Sequence, residues 1–578
     1  MVINKETIEL EQKKTINRKR RDILNLFMLL AILVLLNFVG TFFFKRFDLT
    51  TEKRYTLSPS TRMLLENLDE GVYLKVYLDG DFNPAFTRLR NETKEMLDEF
   101  RAYSNKELNY EFINLSDEKN QKELENIQRQ LYGKGIIPLE LNIKTDKGNK
   151  TQIIFPGALV TYKGRETVWQ IFKKQLGVSA DQCINNSIQS LEYELSNSIR
   201  KLQTVVKHRV AFIQGHGELD TLHANDMINS LQEYYDVRFV TIKHRLKALN
   251  GFKTIIIAQP DSAFDEKDKF IIDQFIMHGG RALWCIDPVY TNYDSLRLTG
   301  FTLGLSNNLH LEDQLFAYGA RINNNLVNDL QCTSIPINKG FKGGPADLQM
   351  VPWIYNPLVM ADSITGKHPI VKNLDLVKFE FASTIDTISA KGVKKTVLLR
   401  TSKYTKLQTT PARVSLAMTA LRPTENQFNK SFQPLAVLLE GNFTSPYKNR
   451  MTSAIAQDSA INFMDYSTAT AMIVIGDGDV MKNDYNYGNQ NYYELGYDKY
   501  MKQKFANKTF LLNCVNYLCD GADLLSVRAR EVKLRLLDKK KTKTQEMKWR
   551  MINVGIPLSV ITILGLVLYQ LRKRRYTD

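Results

Sequence analysis

Two uncharged apolar segments, one near each end of the chain, constrain its fold more than any other feature. The first is LNLFMLLAILVLLNFVGTFFF, residues 24–44, and the second is MINVGIPLSVITILGLVLYQL, residues 551–571. Roughly 20 apolar residues are needed to cross a bilayer as a helix. The first segment is too long for the core of a signal peptide, and no small-residue cleavage site follows it. The sequence therefore predicts two retained transmembrane helices.

Basic residues beside both segments predict how the chain is oriented. The motif RKRR stands at residues 18–21 and again at residues 572–575. Positive residues are retained on the cytoplasmic side of a membrane. We therefore expect a cytoplasmic N-terminus over residues 1–23, a cytoplasmic tail over residues 572–578, and a large body outside the cytoplasm.

The excess charge of +16 lies almost wholly beside the apolar segments, whose flanks hold +15 of it. The body is close to neutral, which excludes a basic nucleic-acid-binding surface. One basic juxtamembrane stretch, residues 526–550, lies on the outer side. Its candidate contacts with lipid headgroups or an acidic partner are Lys539, Lys540, Lys541, Lys543, Lys548 and Arg550. A solvated juxtamembrane helix is the alternative interpretation.

Residues 45–180 alternate strand and helix patterns and end in paired strands, which predicts an α/β domain. This order resembles the thioredoxin fold. The segment YGKGIIPLELNI, residues 132–143, resembles the part of that fold in which a proline precedes the third strand, so Pro138 is a candidate for a cis peptide bond. The first strand leads into DGDFNPAF, where a redox protein would carry C-x-x-C. The domain is therefore predicted to lack thiol chemistry.

A connecting helix and a second domain follow. Apolar residues at positions 184, 188, 191, 195, 199 and 202 are spaced by three or four and predict an amphipathic helix over residues 181–205. Residues 206–525 then show the order of a flavodoxin-like, doubly wound sheet. We expect a β-rich insertion at about residues 290–460, after which the strand AMIVI rejoins the same sheet.

Two glycine-flanked loops after buried strands carry the candidate site residues, which are Gly215, His216, Gly217, Glu218, Asp477 and Asp479. If both strands belong to one parallel sheet, both loops lie at its carboxyl edge, where such folds bind ligands. Three interpretations remain open: a metal or acid-base cluster, a ligand-binding crevice without chemistry, and sharp turns whose acids cap backbone amides. We favour the structural interpretation.

Several motifs of catalysis and cofactor binding are missing from the sequence. It has no G-x-x-x-x-G-K-[ST] loop for ATP, no G-x-S-x-G nucleophile elbow and no C-x-x-C pair. Its five cysteines form no disulfide framework. We therefore predict a protein that needs no cofactor and is not an enzyme, so any energy it uses comes from a partner.

Five segments stand out as a set: RFDLTTEKRYTLSPST, VAFIQGHGELD, DEKDKFIIDQFIMHGGRALWCIDPV, LLEGNFTSPYKNR and IGDGD. Together they resemble the GldG family, the gliding-motility-associated auxiliary subunits of ABC transporters. The resemblance implies an ABC ATPase and a multi-span permease as partners in the cytoplasmic membrane, and a periplasmic body. It also implies that residues 206–525 form a domain of the GldG/intraflagellar-transport (GIFT) type, similar to class I glutamine amidotransferases. The Cys, His, Glu triad of those enzymes does not carry over, since Cys285 lies within a strand and His216 on the first loop.

These observations predict a non-enzymatic, doubly anchored auxiliary subunit of an ABC transporter complex associated with gliding motility, which presents periplasmic domains to a ligand or partner. Its contacts would include the phospholipid membrane and the motility or secretion machinery, but no nucleic acid. The alternatives are a stand-alone periplasmic module that binds a glycan or peptide, a metal-dependent hydrolase that uses His216 and Glu218, and a purely structural tether.

Overall fold

The structure is a computed structural model of the 578-residue chain. It describes residues 23–35, 37–38, 56–117, 120–145, 148–175, 178–203, 207–341, 346–362, 364–420, 424–450, 462–520 and 544–576. Two compact units are distinguished, Met1–Thr56 and Leu57–Asp578, and each is described by itself. The described residues form a mixed α/β body with many sheets and a long apolar helix near the C-terminus.

Helix α1 of the first unit spans Ile23–Leu35. Its large side chains are apolar and exposed. The helix agrees with the beginning of the predicted membrane segment 24–44 but is shorter than the roughly 20 residues that cross a bilayer. Residues 36 and 39–44 of that segment lie outside the described residues.

The second unit begins with helix α2 and ends with helix α11. Its helices are α2 Pro59–Glu66, α3 Pro84–Tyr103, α4 Gln121–Lys134, α5 Ala180–Gln203, α6 Asn225–Gln232, α7 Glu266–Met277, α8 Tyr293–Thr299, α9 Glu312–Tyr318, α10 Asn507–Asp520 and α11 Glu546–Tyr576. Its first ten strands are β1 Val72–Val76, β2 Leu108–Phe112, β3 Leu139–Thr145, β4 Gly148–Ile154, β5 Gly157–Tyr162, β6 Arg165–Gln170, β7 Arg209–Gln214, β8 Asp236–Thr241, β9 Thr254–Ala258 and β10 Arg281–Cys285.

The later part of the unit is rich in strands. They are β11 Val289–Tyr290, β12 Phe301–Ser306, β13 Ala320–Ile322, β14 Asn325–Asp329, β15 Cys332–Phe341, β16 Ala346–Val359, β17 Val377–Lys378, β18 Ile385–Thr387, β19 Val393–Arg400, β20 Thr405–Thr409, β21 Ala412–Ser415, β22 Pro434–Gly441, β23 Thr470–Ile475, β24 Tyr485–Asn486, β25 Asn491–Tyr492, β26 Tyr497–Asp498 and β27 Gln503–Lys504.

A four-stranded sheet has the order β2-β1-β5-β6. Strands β1 and β2 are parallel, whereas β5 is antiparallel to both β1 and β6. The sequence-based choice of the third strand was wrong, because β3 pairs with β4 in a separate two-stranded sheet. The proline that precedes the strand beside β1 is therefore Pro156. Among the described residues the cis peptide bond precedes Pro411, not Pro138.

Helix α5 confirms the amphipathic pattern read from the sequence. Its apolar positions are buried in one core with the four-stranded sheet; they are Ile184, Ile188, Leu191, Leu195, Ile199 and Leu202. Other residues of α5 turn the opposite way. Tyr193 packs into the core of the larger sheet, and the Asn197 amide donates to the Tyr234 hydroxyl at 3.2 Å. The helix thus contacts the cores of both sheets.

A seven-stranded sheet has the order β19-β22-β23-β10-β9-β7-β8. Strands β8, β7, β9, β10 and β23 run parallel. Strand β22 is antiparallel to β23, and β19 is antiparallel to β22. Strand β23 rejoins the sheet as predicted. The predicted insertion 290–460 needs correction, because it supplies β19 and β22 of this sheet.

Apolar residues cover both faces of the seven-stranded sheet. Along β7, Val210 and Phe212 enter one core, while Ala211 and Ile213 enter the other. A strand buried on both faces carries a near-continuous apolar run, which is why VAFI stands out in the sequence.

Among the described residues, one helix is long and apolar enough to cross a bilayer, over Glu546–Arg574. It begins before the predicted segment 551–571 and includes residues of the basic stretch. Residues 526–543 of that stretch lie outside the described residues.

Candidate functional site

Four neighbouring parallel strands of the seven-stranded sheet end at one edge. Residues 215–218 follow β7, residues 259–262 follow β9, Asp287 follows β10, and residues 476–479 follow β23. Because parallel strands point the same way, these loops share the carboxyl edge of the sheet, where open α/β sheets bind ligands.

His216 is held on three sides by its neighbours. Its backbone N–H donates to Glu218 Oε2 at 2.7 Å, and its Nδ1 lies 3.1 Å from Glu218 Oε1. Its Nε2 lies 3.3 Å from Asp268 Oδ2. The ring stacks on Phe264 at 3.7 Å between centroids. Both ring nitrogens face carboxylates, which leaves neither directed at a substrate or an added metal.

The glycines of this loop are required by the backbone. Gly215 and Gly217 have φ angles of +123° and +72°, which favour glycine over residues with a Cβ. A Cβ at Gly217 would lie 1.5 Å from Asp261 Oδ1. The His216 carbonyl accepts hydrogen bonds from the backbone N–H groups of Asp261 and Ser262 at 3.0 and 2.9 Å. The loop is therefore tied to the one after β9.

The first turn of α7 supplies the second carboxylate beside His216. Asp265 caps the helix by accepting from the backbone N–H groups of Lys267 and Asp268, both at 2.9 Å. Asp268 Oδ1 accepts from the His244 N–H at 2.8 Å, while His244 Nε2 contacts Asp265. We call the group His216, Glu218, Asp268, His244 and Asp265 the histidine network.

The loops after β10 and β23 bring three aspartate side chains together at the same edge. Carboxylate oxygens of Asp287, Asp477 and Asp479 all lie within 4.8 Å of one another. We call these three residues the carboxylate cluster. Asp477 is 0% exposed. Its two oxygens accept from the backbone N–H groups of Glu380 and Val480 at 2.7 and 3.2 Å.

Gln259 joins two members of the carboxylate cluster. Its Nε2 donates to Asp287 Oδ2 at 2.8 Å and to Asp479 Oδ1 at 2.9 Å. Its φ of +52° is uncommon for a residue other than glycine and is found where surrounding contacts enforce it. The Gly478 N–H donates to Asp287 Oδ1 at 2.6 Å, and a Cβ at Gly478 would lie 2.7 Å from Gln259 Cβ.

Burial and mutual repulsion set the protonation of the carboxylate cluster. Burial, followed by the charge of Asp479, raises the pKa of Asp287 to about 7. Burial also raises the pKa of Asp477 well above its ordinary value, with Asp287 as the next cause. The pKa of Asp479 is raised by burial as well, although Lys482, at 3.3 Å, opposes the shift. The cluster therefore holds protons that isolated aspartates would release.

Two groups of side chains place their ligand atoms close enough to share a metal ion. They are His244, Asp265 and Asp268 in the histidine network, and the three aspartates of the carboxylate cluster. Carboxylates suit hard cations. Each group nevertheless spends its oxygens on internal hydrogen bonds, to the helix cap of α7 in one case and to Gln259 and backbone amides in the other. In both groups the carboxyl groups therefore stabilise neighbouring parts of the chain by hydrogen bonds.

The predicted site residues fall into these two groups. Gly215, His216, Gly217 and Glu218 lie in or beside the histidine network, and Asp477 and Asp479 lie in the carboxylate cluster. Within the described ranges, no hydrogen bond or ion pair joins His216 or Glu218 to Asp477 or Asp479.

Sequence reasoning missed Asp268, Asp287 and Gln259. A usable signal existed for Asp287, which directly follows the buried strand run ALWCI and so had to emerge at the carboxyl edge. Asp268 lies one helical turn into DEKDKF and carried no such mark.

Cys285 ends β10 and is fully buried. Burial raises the pKa of its thiol well above the ordinary value, which opposes formation of a nucleophilic thiolate. This position confirms the prediction that Cys285 lies within a strand.

Four of the six predicted membrane-contact residues lie outside the described residues: Lys539, Lys540, Lys541 and Lys543. Lys548 and Arg550 lie in α11. There the Arg550 guanidinium pairs with Glu546 at 2.7 Å.

Two family models match the chain. The model described as an ABC-type uncharacterized transport system matches residues 207–514, which include the seven-stranded sheet and both groups of the candidate site. A model described as a domain of unknown function (DUF7088) matches residues 51–161.

Two individual proteins are similar to the chain. An uncharacterized protein of Borreliella burgdorferi is 23% identical over 573 residues, which cover 96% of this chain and 99% of the relative. The solved mmIFT52 N-terminal domain is 12% identical and has a TM-score of 0.30, with 54% of this chain and 96% of that domain covered.

Proposed function

Because the chain belongs to the family of ABC-type uncharacterized transport systems, we propose that it is a non-enzymatic, membrane-anchored auxiliary subunit of an ABC transporter complex. The observation that carries the proposal is the family match over residues 207–514. In this proposal an ABC ATPase and a multi-span permease supply the energy and the pathway, and this subunit presents its α/β body to a ligand or partner.

The geometry of the carboxyl edge supports a role in recognition. In the histidine network both nitrogens of His216 contact carboxylates, whereas a general base needs a free nitrogen within reach of the substrate. In the carboxylate cluster, Gln259 and backbone amides occupy the oxygens. These contacts favour a rigid rim for binding over the metal-dependent hydrolase considered above.

We propose that the chain is anchored twice in the cytoplasmic membrane, with both termini in the cytoplasm and the body in the periplasm. Support comes from the apolar helix Glu546–Arg574, from the apolar run at residues 24–44, and from the RKRR motifs that flank the two runs. The basic residues from Lys539 to Arg550 would then lie near lipid headgroups.

We also propose a finer fold assignment. The order β2-β1-β5-β6 supports a thioredoxin-like first domain, with Pro156 before the third strand and no C-x-x-C. The order β8-β7-β9-β10-β23 agrees with the flavodoxin-like succession 2-1-3-4-5. The GldG and GIFT-type assignments, and with them a link to gliding motility, rest on the sequence segments quoted above.

The test is an affinity purification of the full-length protein in mild detergent, followed by mass spectrometry. We expect an ABC ATPase and a multi-span permease in near-stoichiometric amounts. The matched control is a chain truncated before residue 544, which lacks α11 and should lose the permease. A full-length protein that purifies alone would contradict the proposal and favour the stand-alone binding module.

A further inference from the structure

The three-stranded sheet β11-β12-β21 carries its large apolar residues on the solvent side. On β12, Thr302 and Gly304 are the buried positions, whereas Phe301, Leu303 and Leu305 are exposed. An antiparallel sheet with one solvated face normally carries polar residues there. The usual alternation is inverted on this strand.

The strand register shows that the exposed residues form one surface. Tyr290 lies opposite Leu305, and Arg413 lies opposite Leu303. Directly opposed residues of antiparallel strands project on the same side of a sheet. We call Tyr290, Phe301, Leu303, Leu305 and Arg413 the outer apolar face. Tyr290, Leu303 and Leu305 are 52%, 50% and 49% exposed.

Packing beneath the sheet prevents this face from turning inward. Val289, Ala412 and Val414 point down into a core that contains Trp353. A Cβ at Gly304 would lie 3.1 Å from Leu326 Cδ1 and 3.2 Å from Val289 Cγ1, so the inner side has room for small residues only. A shift of one residue would drive leucines into that space. The apolar surface is therefore a fixed feature of the fold.

Arg413 gives the outer apolar face its charge. Its guanidinium carbon lies 5.0 Å from the centroid of the Phe301 ring. Its backbone carbonyl accepts from Gln408, but in the part of the chain that the structure describes no ion pair involves the guanidinium. A stacked arginine beside leucines is ready to receive a carboxylate from outside the molecule.

We propose that the outer apolar face docks the multi-span permease of the transport system, at an apolar surface that presents a carboxylate opposite Arg413. The proposal rests on the proposed function. Aromatic residues and arginine, without lysine or acids, are the composition of protein interface cores. A second copy that docked through the same face would bring two arginines and no acid into the interface. Lipid headgroups are recognised by clusters of several basic residues, whereas this face has one.

The docking face is joined directly to the candidate site. Asn307 follows β12, and its Nδ2 donates to the carbonyl of Asp287 at 3.1 Å and to that of Pro260 at 3.4 Å. Asp287 belongs to the carboxylate cluster, and Pro260 follows Gln259. A subunit docked on β12 would therefore lie beside the carboxyl edge of the seven-stranded sheet.

The test compares Leu303→Asp with Leu348→Asp in the full-length protein. Leu348 is similarly exposed, at 57%, on β16. We expect Leu303→Asp to lower recovery of the permease by about tenfold, because the new carboxylate adds charge to an apolar interface and lies opposite Arg413, where it would replace the acid of the partner. Leu348→Asp should leave recovery unchanged. Equal unfolding midpoints for the two variants will show that the loss is not caused by misfolding.

A photo-crosslinking residue at position 303 identifies what covers the face. A crosslink to the multi-span permease of the same transporter is the expected result, because the proposed topology places the body on the opposite side of the membrane from the ATPase. A crosslink to a second copy of the chain, to lipid or to nothing would overturn the docking proposal. If the wild type recovers transporter subunits and Leu303→Asp recovers them equally, the docking face is wrong and the proposed function stands. If the wild type recovers none, the proposed function itself fails.

Discussion

The histidine network and the carboxylate cluster are built from similar sequence at one sheet edge, yet they differ in their electrostatics. Each follows a buried parallel strand and a glycine-flanked turn. In the histidine network a basic ring lies between the carboxylates of Glu218 and Asp268. In the carboxylate cluster three aspartates face one another, and Lys482 contacts one of them. The difference arises from what neighbouring elements contribute.

A glycine-flanked loop motif therefore determines the backbone conformation of the turn but not the balance of charges around it. The turns after β7 and β23 both need glycine. The side chains that contact these turns come from elsewhere in the chain. Asp268 lies in α7, Asp287 follows β10, and Gln259 follows β9. One half of the edge therefore places a histidine between its carboxylates, and the other brings three carboxyl groups together, so that their mutual repulsion depends on pH.

The largest effect should come from removing Asp477, the fully buried member of the carboxylate cluster. Asp477→Ala leaves the N–H groups of Glu380 and Val480 without acceptors, which should lower the free energy of unfolding by about 3 kcal/mol. Urea unfolding of the detergent-purified protein, followed by tryptophan fluorescence, measures this. Asp261→Ala, at an exposed position of the same edge, should change stability by less than about 0.5 kcal/mol. Equal effects of the two substitutions would mean that the hydrogen bonds of Asp477 do not stabilise the fold.

A smaller effect should appear as pH dependence. The pKa of Asp287 is raised to about 7, so the folded state holds a proton that the unfolded chain releases near pH 4. Stability therefore falls as pH rises from about 4 to about 7. Asp287→Asn cannot ionise, so its stability relative to the wild type should rise across this window, by about 1.4 kcal/mol for each unit by which the pKa of Asp287 is raised.

This pH effect is measured by unfolding both proteins at intervals between pH 4 and pH 8. Asp477 and Asp479 titrate in the same direction, so some slope should survive in Asp287→Asn. Parallel curves for the variant and the wild type would show that Asp287 does not carry the raised pKa.

The smallest effect concerns the turn of the histidine network. Gly217→Ala places a Cβ at a φ of +72° and against Asp261, and should cost about 1.5 kcal/mol. Gly164→Ala has a φ of +71° with open space around it and isolates the backbone part of that cost. Thermal unfolding of Gly217→Ala in an Asp261→Ala background should approach the Gly164→Ala value. An unchanged cost in that background would show that Asp261 does not crowd the turn.

Periodic features of the sequence predicted much of the fold. Buried runs such as VAFI and AMIVI predicted strands of one sheet, and the spacing from Ile184 to Leu202 predicted α5, because both patterns are local consequences of burial. Strand pairing is a long-range property and was less accessible. Strands β19 and β22 lie in the region interpreted as an insertion, and β3 was mistaken for the strand that lies beside β1.

The candidate site was predicted as a location but not as a set of contacts. Gly215, His216 and Asp477 were found because glycines mark turns at the ends of buried strands. The partners that determine their chemistry lie tens of residues or more away along the chain, as Asp268 and Asp287 do. No local pattern records that Phe264 stacks on His216, since both the ring and its neighbour look like ordinary core residues in the sequence.

The end of α10 gives the molecule a mechanical property. Helix α10 ends at Asp520, so a force applied to that end of the helix acts first on the contacts of this side chain. Asp520 pairs with Arg200 of α5 and accepts from the Tyr235 hydroxyl at 2.8 Å. Since α5 packs on the cores of both sheets, such a force would pass to both cores and not to a single strand.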